Sequence, residues 1–90
     1  MQEGYLEQKK YLQTELGKLI KEYRLKTNKS ISLLTAEVGM TKSLLADTEK
    51  GIKDPQFSTL WRLAQGLNIP LSEIIKELEN HLKDDFSLIE

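Results

Sequence analysis

The stretch Ser30-Ile-Ser-Leu-Leu-Thr-Ala-Glu-Val-Gly39-Met-Thr41-Lys-Ser-Leu-Leu-Ala-Asp-Thr-Glu-Lys50-Gly51 holds two short helical patterns separated by a glycine-containing link. Ser30 stands where its hydroxyl can accept a hydrogen bond from an orphan backbone N–H and cap a helix over Ile31–Val38. Gly39 ends that helix. Thr41 can cap the next, Lys42–Lys50, and Gly51 terminates it. The link Gly39-Met40-Thr41 has room only for a sharp turn, and two short helices joined this way form a helix-turn-helix. The pair cannot bury its own apolar faces, so Leu34, Val38, Leu45 and Thr48 need cover from other parts of the chain.

That cover is found on both sides. Upstream, Tyr5, Tyr11, Leu12, Leu16, Leu19, Ile20 and Tyr23 recur at three- and four-residue steps and predict an amphipathic helix over Tyr5–Thr27, with Asn28 as a left-handed C-cap. Downstream, Ile52-Lys53-Asp54-Pro55 is a connector, because proline disfavours helix in the residue before it. A fourth helix is predicted from a Ser58 cap to Leu67, closed by Asn68 and Pro70. A fifth is predicted from a Ser72 cap through Glu73 and Ile74 to His81 or Lys83. Leu60, Leu63, Ala64, Leu67, Ile69, Leu71, Ile74 and Ile75 supply the covering apolar surface. Alternating runs of β-branched residues are nearly absent, so the expected fold class is all-α with five helices. In the tail, Asp84 to Glu90, the residues Phe86, Leu88 and Ile89 alternate with polar ones and can dock on the domain or on a second copy.

Ninety residues support one core. With no cysteine, neither disulfides nor thiolate metal sites reinforce it, which fits a cytoplasmic protein. No apolar run approaches the roughly 20 residues that span a bilayer, and MQEGYLEQKK has no apolar stretch of the kind a secretory signal needs. The net charge of −1 is unevenly spread. Residues 1–53 hold ten Lys/Arg against seven Asp/Glu, and residues 54–90 hold three against seven, giving +3 and −4. The positive half contains the helix-turn-helix.

The pattern resembles the lambda-repressor and Cro family of helix-turn-helix regulators, the xenobiotic-response-element type. The matching residues are Leu16-Gly17-x-x-Ile20-x-x-x-Arg24, Ser30, Gly39, Glu49-Lys50-Gly51, Pro55, Leu60-x-x-Leu63-Ala64-x-x-Leu67 and Leu71-Ser72-Glu73-Ile74-Ile75. They run without a gap from 16 to 75, which divides the chain into an N-terminal extension of helix one (1–15), a helix-turn-helix domain (16–75) and a C-terminal helix end and tail (76–90). The resemblance implies a lambda-repressor-like DNA-binding domain with an extended first helix, whose third helix enters the major groove of double-stranded DNA. By position it implies a DNA-contacting set of Thr41, Lys42, Ser43, Leu44, Ala46 and Asp47, with Lys50 and Lys53 near phosphates. Lysine can donate to guanine O6 and N7, serine can serve either role, and leucine can press on a thymine methyl. Two departures weaken a single subunit's grip. The family's common Gln at the start of helix two is Ile31, and Asp47 stands where Arg or Lys is common. A dimer would compensate by joining two half-sites. The resemblance also pairs Arg24 with Glu49 as an interhelical ion pair, the alternative being that Arg24 contacts DNA.

Other residues have plainer expectations. Trp61, the only tryptophan, is expected to be partly buried or to serve as a dimer contact, and lone His81 cannot build an ordinary zinc site. The extension of helix one either packs back on its domain or forms a dimerisation arm. Helix five, with Ile74, Ile75, Leu78 and Leu82, is the competing dimer surface. The expected function is that of a sequence-specific transcriptional regulator, a repressor or autoregulator acting as a homodimer without cofactor or metal. A different class of function on the same fold is an antitoxin or protein-interaction module that uses Ile31, Leu33 and Leu44 as an apolar patch. No nucleophile–base set, phosphate loop or metal cluster suggests an enzyme.

Overall fold

A computed structural model describes residues 2–89. They form five helices and no strand: α1 (Gln2–Lys26), α2 (Ile31–Val38), α3 (Lys42–Glu49), α4 (Phe57–Gly66) and α5 (Leu71–His81). At about 1.5 Å per residue, the 25 residues of α1 account for most of the molecule's 40 Å long axis. The other four helices gather against one end of it. α1 packs on α3 and α5, α2 packs on α3 and α4, and α4 packs on α5.

The core lies where these contacts meet. Ile20, Leu34, Leu45, Leu63, Leu67 and Ile74 are fully buried, one or more from every helix or its cap. Val38, Leu60, Ile69 and Ile75 form a half-buried margin around it. The buried Thr35 and Thr48 hydroxyls donate to the carbonyls of Ile31 and Leu44, both at 2.7 Å, the usual way a helical threonine avoids an unsatisfied donor.

Four helices stop by the same device. Asn28, Gly39, Gly51 and Asn68 all adopt positive φ. The N–H of the next residue then reaches back five positions: Lys29 to Arg24, Met40 to Thr35, Ile52 to Asp47 and Ile69 to Ala64. This is the Schellman arrangement, which satisfies orphan carbonyls at a helix end.

The starts of the helices differ more from expectation. Ser30 and Thr41 cap α2 and α3, accepting from the N–H of Leu33 and Leu44 at 3.0 and 3.1 Å. Ser58 and Ser72 are not caps. α4 starts after Gln56 and α5 after Pro70, neither with a side-chain cap. For α5 the cause is packing and backbone: Pro70 already has φ −65°, and starting at Leu71 buries that side chain. α1 begins at Gln2, ahead of Tyr5 and through Gly4, and Glu3 suits the positive end of the helix dipole.

The two ends of the chain meet. Tyr11 of α1 accepts the N–H of Lys83 at 3.0 Å and donates to the His81 carbonyl at 3.4 Å. Its ring lies 5.9 Å from that of Phe86. Tyr11 and Phe86 therefore pack on the same subunit, while residues 3–7 of α1 are exposed. Glu90 lies outside the described residues.

Candidate nucleic-acid interface

α3 is a two-turn rod held from behind. Leu45 and Thr48 point into the core. At about 100° per residue, the opposite face carries Ser43, Ala46, Asp47 and Lys50, with Lys42 on its flank. Lys42, Ser43 and Lys50 are exposed, and Ala46 and Asp47 half-buried. Leu44 sits at the margin of that face, half-buried on the side of Thr48. Thr41 is exposed, but its hydroxyl is already engaged as the cap of α3.

Beyond α3, the backbone N–H groups of Ile52 and Lys53 both donate to the Asp47 carbonyl, at 2.9 and 3.4 Å. Gly51 is buried against Thr14, and its carbonyl accepts from Lys10 Nζ (3.0 Å) and Gln13 Nε2 (3.2 Å). The loop that carries exposed Lys53 is thus pinned to α1. Among the described residues Lys42, Lys50 and Lys53 have no ion-pair partner, so the face presents three uncompensated cations beside one carboxylate, Asp47.

Two contacts fix the angle of α3. Gly17 of α1 lies directly against the backbone at the end of α3, with no space for a side chain. Arg24 grips Glu49 with two parallel bonds, Nε to Oε2 at 2.7 Å and Nη2 to Oε1 at 3.0 Å, while Nη1 donates to the Lys29 carbonyl at 3.0 Å. Both side chains are less than a tenth exposed. Hydrogen bonding to Glu49 raises the Arg24 pKa against the opposing effect of burial. Arg24 is therefore committed to the scaffold, and α3 cannot rotate without breaking a buried charge pair.

Sequence reasoning missed Arg62. From α4 its Nη1 donates to the carbonyls of Gly39 (2.9 Å) and Val38 (3.3 Å), holding the turn between α2 and α3. No local pattern announces such a bond, because its partners are backbone atoms more than twenty residues away. Trp61, expected to be partly buried or a dimer contact, is 53 % exposed and lies tilted at 59° beside exposed Phe57, with ring centres 5.9 Å apart. The apolar set Ile31, Leu33 and Leu44 does not present one open patch: Ile31 packs against the core, Leu44 is half-buried and Leu33 is exposed. Among the described residues no cluster of His, Asp or Glu is placed to hold a metal ion, and no helix is long and apolar enough to cross a membrane.

Two short helices at a glycine turn, the second buttressed from behind and open in front, define a helix-turn-helix protein. The family model of that description, HTH_3, matches residues 20–74, and the chain belongs to this helix-turn-helix family. The chain is 35% identical over 60 residues to the HTH-type transcriptional regulator SutR of Escherichia coli (strain K12), covering 67% of this chain and 34% of that protein. It thus spans about a third of that relative's length. Among solved structures, the clp gene regulator ClgR of Corynebacterium glutamicum superposes with a TM-score of 0.74 at 17% identity, over 80% of this chain and 92% of the other. The restriction-modification controller protein C.AhdI of Aeromonas hydrophila gives 0.66 at 23% identity, over 68% and 92%. At these identities the structural likeness speaks for the fold.

Proposed function

We propose that this chain is a sequence-specific DNA-binding transcriptional regulator that inserts α3 into the major groove, acting in the cytoplasm as a homodimer that represses its target or its own gene. The observation that carries this is the outer face of α3. Its Lys42 and Ser43 are exposed and their side chains have no partner among the described residues, while Leu45 and Thr48 behind them are fixed in the core. The names of the E. coli relative and of both structural neighbours, which describe regulators or controllers, support the same function.

Lys42 donates to guanine O6 and N7, Ser43 reads an adjacent base edge, Leu44 touches a thymine methyl and Asp47 accepts from cytosine N4. Ala46 lets the backbone approach. Lys50 and Lys53 take phosphates, adding affinity and salt dependence without sequence choice. Thr41 acts by setting the start of α3.

The dimer is supported by a second surface. Between α4 and α5 lies an open groove of about 420 Å³ lined by Phe57, Trp61, Pro70, Leu71, Ser72 and Ile75. Two large aromatic side chains left exposed side by side mark an interaction face.

Selection of bound sequences from random duplex DNA, with a mass measurement of the complex, tests the proposal. The expected product is a palindrome with half-site centres about one helical turn, roughly 34–36 Å, apart, carried by two protomers. Recovery of no enriched sequence overturns it.

A further inference from the structure

Beside the reading face lies a notch that no sequence pattern marks. It has a volume of about 160 Å³ and is lined by Lys21, Arg24, Ile31, Ala46, Glu49 and Lys50. Three helices meet there: α1 supplies Lys21 and Arg24, the first residue of α2 is Ile31, and the end of α3 with its cap gives Ala46, Glu49 and Lys50.

The charges around it do not cancel. Arg24 and Glu49 form the floor and neutralise each other through their bidentate contact. Lys21 and Lys50 stand exposed at the rim, and neither has an ion-pair partner among the described residues. The notch therefore carries two positive charges that the fold itself does not use. Ile31 and Ala46 wall it with apolar surface, which lowers the local dielectric and strengthens attraction for an anion. Ala46 also belongs to the outward face of α3, so an anion seated here lies at the edge of whatever that face contacts.

The geometry points to this notch as a binding site for the backbone of the DNA duplex, where Lys21 neutralises one phosphate and Lys50, across the notch, neutralises its neighbour. Lys21 is thereby assigned to the interface, from a helix that otherwise serves as scaffold. The inference rests on the proposed DNA binding. It adds a contact beside α3, where α1 and α2 meet it. Such a contact sets register and orientation and carries no sequence information.

The test is a titration of the full chain with two duplexes, one selected and one unrelated, at several salt concentrations. Each lysine that neutralises a phosphate contributes about 0.9 to the slope of log K against log salt. Lys21→Ala is expected to lower that slope by about 0.9 on both duplexes and to leave their affinity ratio unchanged. Between 50 and 200 mM salt this removes about a 3.5-fold share of the affinity loss. Lys18→Ala is the control on the same helix: Lys18 is exposed but paired with Glu15 at 3.1 Å, and its slope should match that of the parent chain. Both positions are exposed, and thermal unfolding confirms that the variants fold.

If the parent chain binds DNA and Lys21→Ala leaves the slope unchanged, the notch is not a phosphate site and the proposed function stands. A shifted affinity ratio between the duplexes also overturns it, since Lys21 would then be reading sequence. If the parent chain binds neither duplex, the proposed function and the notch fall together.

Discussion

Replacing Gly17 by alanine tests how α3 is seated, because two effects of opposite sign compete. In an ordinary helix interior, Gly→Ala stabilises by about 1 kcal/mol. At Gly17 an added Cβ would lie 2.6 Å from the Glu49 carbonyl oxygen and 2.8 Å from its carbon, with the Thr48 oxygen closer still. A carbon needs about 3.3 Å from such an oxygen, so α1 and α3 must separate by about 0.7 Å to clear Glu49 and by more to clear Thr48. All the opposing atoms are backbone in the last turn of α3, and none can rotate away. Overpacking of this kind costs about 1–3 kcal/mol. The upper part of that range applies, because the separation also loosens Leu45, Thr48 and the 2.7 Å bond from Arg24 to Glu49. After the gain in helix propensity, Gly17→Ala is expected to destabilise by about 1–2 kcal/mol. In a domain of this size that lowers the melting temperature by roughly 4–16 °C. Gly4, exposed near the start of the same helix, is the contrast, and Gly4→Ala should be neutral or stabilising by about 0.5 kcal/mol. Circular dichroism melts and urea titrations of both variants give the comparison. A Gly17→Ala chain as stable as its parent would refute the close approach of α1 to α3.

Three further outcomes follow from named contacts. Arg24→Ala strands Glu49 as a buried carboxylate and should cost about 3–5 kcal/mol in urea unfolding, whereas the double change Arg24→Met with Glu49→Leu should recover most of that loss. Tyr23 titrates late: burial raises its pKa, and the nearby Glu77 and Glu73 raise it further. The unfolded chain then loses its tyrosine proton at lower pH than the folded one, so this contribution is intact below about pH 10 and is lost as pH rises through the folded value. Absorbance at alkaline pH should show a late tyrosine step, and Tyr23→Phe should remove it. Trp61→Glu, which places a charge in the α4–α5 groove, should yield a monomer in sedimentation at concentrations where the parent chain is dimeric, with the melting temperature little changed.

Helix number, order and class were legible because they rest on local signals. Positive-φ positions fell on Asn28, Gly39, Gly51 and Asn68, residue types that tolerate the left-handed region, and the apolar steps of α1 from Leu16 to Tyr23 survive as its buried face, whereas Tyr5 is exposed. The helix-turn-helix was legible for the same reason, since capping by Ser30 and Thr41 is settled within four residues. The starts of α4 and α5 were not. Serine is a good cap wherever it stands, but Phe57 and Leu71 extend their helices past Ser58 and Ser72, and for Leu71 the burial of its side chain outweighs a solvent-exposed cap. Exposure was the least legible quantity. Trp61 lies one step from Leu60 in sequence, yet one helix step is about 100°, enough to turn it from the core margin into solvent. Arg62 and Lys21 escaped notice because their surroundings come from remote segments: the α2–α3 turn for one, the ends of α2 and α3 for the other.

The salt dependence of binding counts protomers as well as lysines. In the proposed interface Lys21, Lys50 and Lys53 face phosphates, whereas Lys42 faces a base. Three phosphate contacts give a slope of about −2.7, and two protomers on one palindrome give about −5.4. The difference is large in practice: raising salt from 50 to 200 mM weakens a lone protomer by about 40-fold and a pair by about 2,000-fold. A single subunit with so few free cations therefore holds DNA weakly, and the exposed Phe57–Trp61 face acquires a role in binding although it is given no contact with the duplex. A measured slope near −5 that falls to near −3 in Trp61→Glu would tie the two surfaces together. A slope near −3 in both chains would show that α3 works from one subunit alone and that the α4–α5 groove serves something else.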